Sequence, residues 1–205
     1  MRIALWVAFC CVSMTAAAET IGFEADVVGQ PPAGWTCGAT GRGTPKWTVE
    51  ADPDAPGAKV LRQSGSATFP WCVKGDVALT DGWVEVTFKP MAGKEDQAGG
   101  VVWRWKDSDS YYVARANALE NNVSLYYTDR GSRKTLKYVD APVTTGQWHT
   151  LRVDFTDIRI VVTLDGKRYI GIDDSHIAGS GAIGVWTKAD SVTVFKGFNY
   201  ASIRP

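Results

Sequence analysis

The chain has 205 residues, with 22 Lys+Arg against 22 Asp+Glu. That balance excludes a broad basic field for nucleic acid and a like-charged tail. Nine tryptophans, seven tyrosines and seven phenylalanines supply ample material for a core.

The first segment, residues 1–18, reads as a signal peptide. Arg2 gives a positive start, an apolar run follows from Ile3 to Met14, and Ala16-Ala17-Ala18 offers a small-residue cleavage site before Glu19. A lipoprotein anchor at Cys10 or Cys11 is the rival, but Phe9 and Cys10 stand where a small residue is wanted. No later run approaches the roughly 20 apolar residues of a membrane span, so no membrane span is expected. Without the leader, residues 19–205 form one predicted domain of 187 residues with a net charge of −1. The expected location is the periplasm or the extracellular space. Of four cysteines only Cys37 and Cys72 remain after export. In an oxidising compartment they are expected to pair. Neither of the two histidines neighbours a cysteine, which disfavours zinc.

The stretch at 30–44, QPPAGWTCGATGRGT, reads as a loop that the cysteine pins to the domain. Beyond it the chain breaks into short runs rich in Val, Ile, Thr, Trp, Tyr and Phe, separated by Gly, Asp, Asn and Pro. Strands are predicted at 47–50, 59–63, 83–90, 100–106, 111–117, 123–128 and 134–139, then at 148–155, 158–164, 167–172, 182–187 and 192–200. Asp165-Gly166 reads as a two-residue hairpin turn. No helical period, internal repeat or low-complexity tract interrupts the pattern. An all-β sandwich or barrel follows.

Side-chain alternation suggests where a ligand would sit. In the segment at 100–106, Trp103 and Trp105 fall on one face and Arg104 on the other; in the next strand Tyr111, Val113, Arg115 and Asn117 share a face. If the two strands pair, Arg104 and Arg115 are expected on one sheet face. Guanidinium forks bind hydroxyls or a carboxylate, and aromatic faces stack on sugar C–H groups. Further on, Trp186 and Lys188 share a face if their strand continues. The candidate ligand site is therefore Arg104, Arg115, Asn117, Glu120, Trp186 and Lys188. The bland reading is tryptophans in the core and arginines paired with Glu95, Asp96 or Glu120 on a solvated face. The polar loop GKEDQAGG (93–100) lies between two strands, as a rim contact or a solvated turn. No cofactor is expected. Calcium, held by oxygens from this loop and from Asn117, Glu120 or Asn121, is the alternative.

The segments GQWHTLRVDF, IRIVVTLDGKRYI and GSGAIGVWTKADSVTVFKGFNY resemble the concanavalin A-like lectin/glucanase superfamily, nearest the laminin-G-like modules and the bacterial 3-keto-disaccharide hydrolase (DUF1080-like) group. The resemblance covers most of the mature chain and is strongest from 82 to 200. It implies a jelly-roll sandwich of two antiparallel sheets, one concave, with glycans bound on that face or its rim, often with calcium. Where related chains end on an acidic FDDF-like segment, this one has Phe195-Lys196-Gly197-Phe198, which argues against a calcium ligand there.

Retaining glucanases of that superfamily carry E-x-D-x-x-E on one strand, with carboxyls about 5–5.5 Å apart. Here Glu24-Ala25-Asp26 and Glu50-Ala51-Asp52 meet Gly29 and Ala55 at the last position, so neither completes the motif. Glu95, Asp96 and Glu120 remain as an alternative acid/base set, and no catalytic residue is assigned. His149 opens a strand and reads as structural; His176 lies in a loop. Asn122-Val123-Ser124 matches an N-glycosylation sequon. The expected partner is carbohydrate, bound without catalysis. A glycosidase or lyase acting on a (3-keto-)disaccharide is the alternative, and a protein-interaction module of the envelope is the second. The sequence sets no oligomeric state.

Overall fold

Turn residues punctuate the strands, and every strand pairing among the described residues is antiparallel. The computed structural model describes residues 17–203, so nearly all of the expected leader lies outside the described residues. In chain order the strands are β1 (Glu19–Ile21), β2 (Trp35–Thr44), β3 (Trp47–Ala51), β4 (Lys59–Gln63), β5 (Ser66–Leu79), β6 (Gly82–Ala92), β7 (Ala98–Asp107) and β8 (Ser110–Asn117). They continue as β9 (Asn122–Asp129), β10 (Ser132–Asp140), β11 (His149–Thr156), β12 (Arg159–Leu164), β13 (Lys167–Asp173), β14 (Gly181–Trp186) and β15 (Val192–Ser202). One sheet runs β13-β12-β11-β6-β15-β4-β3, with β1 added beside β15; the other runs β10-β9-β8-β7-β14-β5-β2. The fold is the all-β jelly-roll sandwich expected from the sequence. Among the described residues no helix is long and apolar enough to cross a membrane.

Period-2 patterning builds the core between the sheets. Val84, Val86 and Phe88 of β6, Leu151, Val153 and Phe155 of β11, and Ile160, Val162 and Leu164 of β12 face Val101, Trp103, Tyr112, Ala114, Leu125, Ile183 and Val185 of the second sheet. Trp103 stacks on Tyr112 with ring centroids 5.2 Å apart. Each such buried side chain contributes roughly 1.5–3 kcal/mol of transfer free energy.

Two expectations are corrected. Most of the stretch read as a loop at 30–44 is β2, which lies on β5 with Cys37 directly opposite Cys72, and these two form a disulfide. Gly38 hid the strand from propensity reasoning. A Cβ there would meet the Trp71 ring at 2.8 Å, so the missing side chain makes room for the tryptophan. β5 itself was not foreseen because Pro70 and Gly75 interrupt it. Pro70 is tolerated because β14 ends beside it: Trp71 pairs with the last residue of β14, and the Pro70 carbonyl accepts the Thr187 N–H.

The second correction concerns β7. Between the pairs Val102↔Gly184 and Trp105↔Ala182, β7 advances three residues while β14 advances two. This is a β-bulge, and Arg104 sits in it at φ 46°. The extra residue reverses the alternation. Trp103 therefore faces the core between the sheets, whereas Trp105 packs against Trp71 on the outer face.

The outer face of the seven-stranded sheet is also packed. Trp71, Val73, Ala98, Val102, Tyr111, Val113, Tyr126 and Trp186 form a second buried cluster there. Contacts across the sheet show why. β2 and β8 are four strands apart, about 19 Å across a flat sheet, yet Thr40 Oγ1 lies 2.8 Å from Tyr111 Oη. β10 and β5 are five strands apart, yet the Arg133 guanidinium lies 4.6 Å from the Phe69 ring centroid. The sheet curls into a trough, and this cluster fills its floor.

Candidate functional site

The β6–β7 loop is fixed by one carboxylate. Asp190 accepts the backbone N–H groups of Lys94, Glu95 and Asp96 at 2.7, 3.0 and 3.2 Å. Burial pushes its carboxyl up, but these three donors outweigh that and hold its pKa below the usual carboxylate range. Pinned in this way, the loop sends Asp96 inward and leaves Glu95 at the rim.

Asp96 is fully buried and takes three donors. Arg115 Nη1 reaches Oδ1 at 2.8 Å, Asn117 Nδ2 reaches the same oxygen at 2.7 Å, and Lys188 Nζ binds Oδ2 at 2.5 Å. The other arm of Arg115 donates to Glu120 Oε2 at 2.6 Å, which also accepts from Asn122 Nδ2 at 2.7 Å. Burial raises the Glu120 pKa, but the Asn122 hydrogen bond and the charges of Arg115 and Lys188 prevail and hold it low. Asn117 Oδ1 accepts the N–H groups of Gln97 and Leu119, closing the network onto the backbone.

Beside this network a hollow of about 470 Å³ opens over the trough, lined by Arg42, Phe69, Glu95, Arg133 and Lys188 together with the small residues of 66–68. Its floor is aromatic, with Phe69 stacked on Trp186 at 5.7 Å. The Arg133 guanidinium lies over Tyr126 at 4.1 Å, Phe69 at 4.6 Å and Trp186 at 5.7 Å. Its Nη1 is buried with no hydrogen-bond partner. The hollow thus combines an apolar ring platform with cationic and carboxylate groups at the rim.

Of the six residues expected at the ligand site, the structure gathers Arg115, Asn117, Glu120 and Lys188 around Asp96, with Trp186 alongside under Phe69. Only Lys188 lines the hollow itself. Arg115, Asn117 and Trp186 are buried behind it. Arg104 is elsewhere, and the expectation that it shares a face with Arg115 is overturned. The bulge turns its side chain toward the Thr80, Asp157 and Ile177 carbonyls, at 3.1, 2.7 and 3.1 Å, where it ties three loops together.

At His149, Nε2 accepts the Thr144 N–H at 3.0 Å and Nδ1 faces Asp165 at 2.7 Å, contacts that suit the structural reading. His176, in the loop after β13, pairs with Asp174 at 2.7 Å and stacks on Tyr127 at 4.0 Å. The sequon asparagine, Asn122, is fully buried and closed to glycosylation in the folded protein. Sequence reasoning missed Phe69, Arg42 and Arg133. Phe69 belongs to the unforeseen β5, and only the curl of the sheet brings β2 and β10 over the same trough.

No family model and no curated protein matches the chain. Solved structures do. The chain is similar to carbohydrate binding module CBM66 from Bacillus subtilis at 18% identity and a TM-score of 0.65, over 82% of this chain and 94% of that one. It is similar to an apo Crh5 transglycosylase at 15% identity and a TM-score of 0.60, over 93% and 86% of the two chains. A third is the exoplasmic/lumenal domain of VIP36, in a Ca2+/Man3GlcNAc-bound form, at 14% identity and a TM-score of 0.56, over 83% and 86%. The fold is of the concanavalin A-like sandwich type.

Proposed function

We propose that the protein is an exported, non-catalytic carbohydrate-binding module whose ligand lies in the hollow over the trough. The observation that carries this reading is the hollow's composition: a Phe69 platform for sugar C–H faces beside Arg133, Lys188 and Glu95 for hydroxyls. Arg115, Asn117 and Asp96 act as a brace that holds Lys188 and the β6–β7 loop in place. The carbohydrate binding named for CBM66 and the glycan named for VIP36, on similar folds, agree with it. The Cys37–Cys72 disulfide agrees with export.

Hydrolysis is the weaker reading, although a similar structure is named a transglycosylase. A glycosidase needs a carboxylic acid and a second carboxylate facing the sugar. Asp96 is buried and engaged by Arg115, Asn117 and Lys188, and Glu120 is held low in pKa by its donors. Among the described residues only Glu95 is left at the hollow. Calcium fits poorly for the same reason: the oxygens of Asp96, Glu120 and Asp190 already accept cationic or N–H donors. Among the described residues no group of three or more His, Cys, Asp or Glu is arranged to hold a metal.

A glycan array followed by calorimetry on the mature chain tests the proposal. Binding should weaken at least about tenfold in Phe69→Ala and in Lys188→Ala, as expected for loss of a stacking face or a charged donor. Flat titrations across chemically diverse glycans would overturn it.

A further inference from the structure

The charges of the hollow are unevenly compensated. Lys188 is paired with Asp96. Arg42 and Arg133 line the same hollow and pair with no carboxylate among the described residues, and the one acid at the rim is Glu95. Arg133 is the more telling of the two. Its guanidinium is half-buried among three aromatic rings, with one N–H group sealed in without an acceptor. Removing a cation from water costs free energy unless a counter-charge is supplied, and ring faces offset only part of that cost. The fully buried cation beside it does have its carboxylates: Arg115 pairs with Asp96 and Glu120. Around Arg133 the protein provides rings and space.

Resting on the carbohydrate-binding reading above, we infer that the sugar this hollow takes carries a carboxylate, as in a uronic acid residue. The ligand supplies the counter-ion that the protein omits, held between Arg133 and Arg42, while its ring lies on Phe69. A guanidinium fork matches a carboxylate in two parallel hydrogen bonds, which a hydroxyl cannot reproduce. The whole-chain charge balance does not oppose this, because the excess is local to the hollow.

The probes are three mono-uronate disaccharides, containing glucuronate, galacturonate or mannuronate. Each is titrated as the acid, as its methyl ester, and with the carboxyl reduced to the alcohol. At least one acid form should bind about tenfold or more tighter than its own ester, and that advantage should shrink severalfold between roughly 20 and 200 mM salt. In Arg133→Gln the acid-to-ester ratio should fall to within about twofold, the loss of one charge-assisted contact. Because Arg133 also packs against rings, Arg42→Gln, at an exposed side chain, is the second variant and should lower the same ratio. Equal binding of acids and esters would overturn the carboxylate assignment while leaving the carbohydrate reading intact. A sulfated disaccharide bound more tightly than every uronate would overturn it too. No binding by any of these sugars, nor by neutral glycans on the array, would overturn both.

Discussion

At Asp96 three chain segments meet: the β6–β7 loop, β8 through Arg115 and Asn117, and the segment after β14 through Lys188. Removing one partner from a buried ion network leaves the others uncompensated. Asp96→Ala is therefore expected to lower stability by about 3–5 kcal/mol, read from urea unfolding; a loss below about 1 kcal/mol would mean that the network is idle. Arg104 makes a different prediction. Arg104→Ala strips donors from three loop carbonyls, of which that of Ile177 is buried, and unfolding should show a loss of about 1–3 kcal/mol, with glycan affinity retained.

Glu120 sets an acid limit at the same scale. Its folded pKa lies below the ordinary value of 4.5. Its contribution to stability is thus present above that value and lost as pH falls through the lower folded one. Glu120→Gln should flatten the decline of melting temperature with pH below about pH 5, and an unchanged slope would contradict the assignment. Much of this residue chemistry was legible in the sequence. Arg115, Asn117, Glu120 and Lys188 were singled out as polar groups interleaved with aromatics. Which of them face a ligand and which brace the site was not, since that depends on who lies above whom.

Among the elements, β7 and β5 teach opposite lessons. The alternation in β7 was readable, yet a one-residue bulge at Arg104 reversed the face of Trp105 and moved the arginine out of the site. No local signal marks a bulge in a run of Trp, Arg and Trp, because the extra residue is enforced by the neighbour strand. The required partner feature is Gly181, where a Cβ would lie 2.5 Å from the Arg104 carbonyl carbon. β5 and β2 were hidden by Pro and Gly, residues that propensity reads as breaks. Their positions make sense only in pairs, as with Gly38 under Trp71. Gly38→Val forces a side chain into that ring and is expected to cost about 1–3 kcal/mol, visible as a lowered melting temperature and altered tryptophan fluorescence. An unchanged melting temperature would show that the Trp71 ring is free to move away.

For the whole molecule, the curl of the seven-stranded sheet is the decisive property. It converts a solvent face into a trough with its own packed floor, and it carries Arg133 of β10 to Phe69 of β5. Fold class was legible because turn residues and period-2 patterning are local. The hollow was not, because it is made from strands at opposite ends of one sheet. The disulfide closes a separation of 35 residues inside that sheet. Reduction should lower stability by about 3–4 kcal/mol by the chain-entropy model, and thiol labelling of the denatured, unreduced mature protein should find no free thiol.

The hollow over the trough is the proposed sugar site. The most direct test is a crystal structure of the mature chain soaked with mixed neutral and acidic oligosaccharides. Sugar density is expected on Phe69, within hydrogen-bonding distance of Arg133 and Lys188, with the Asp96 network unmoved behind it. An empty hollow with sugar bound elsewhere on the sandwich, or no sugar bound at all, would contradict it.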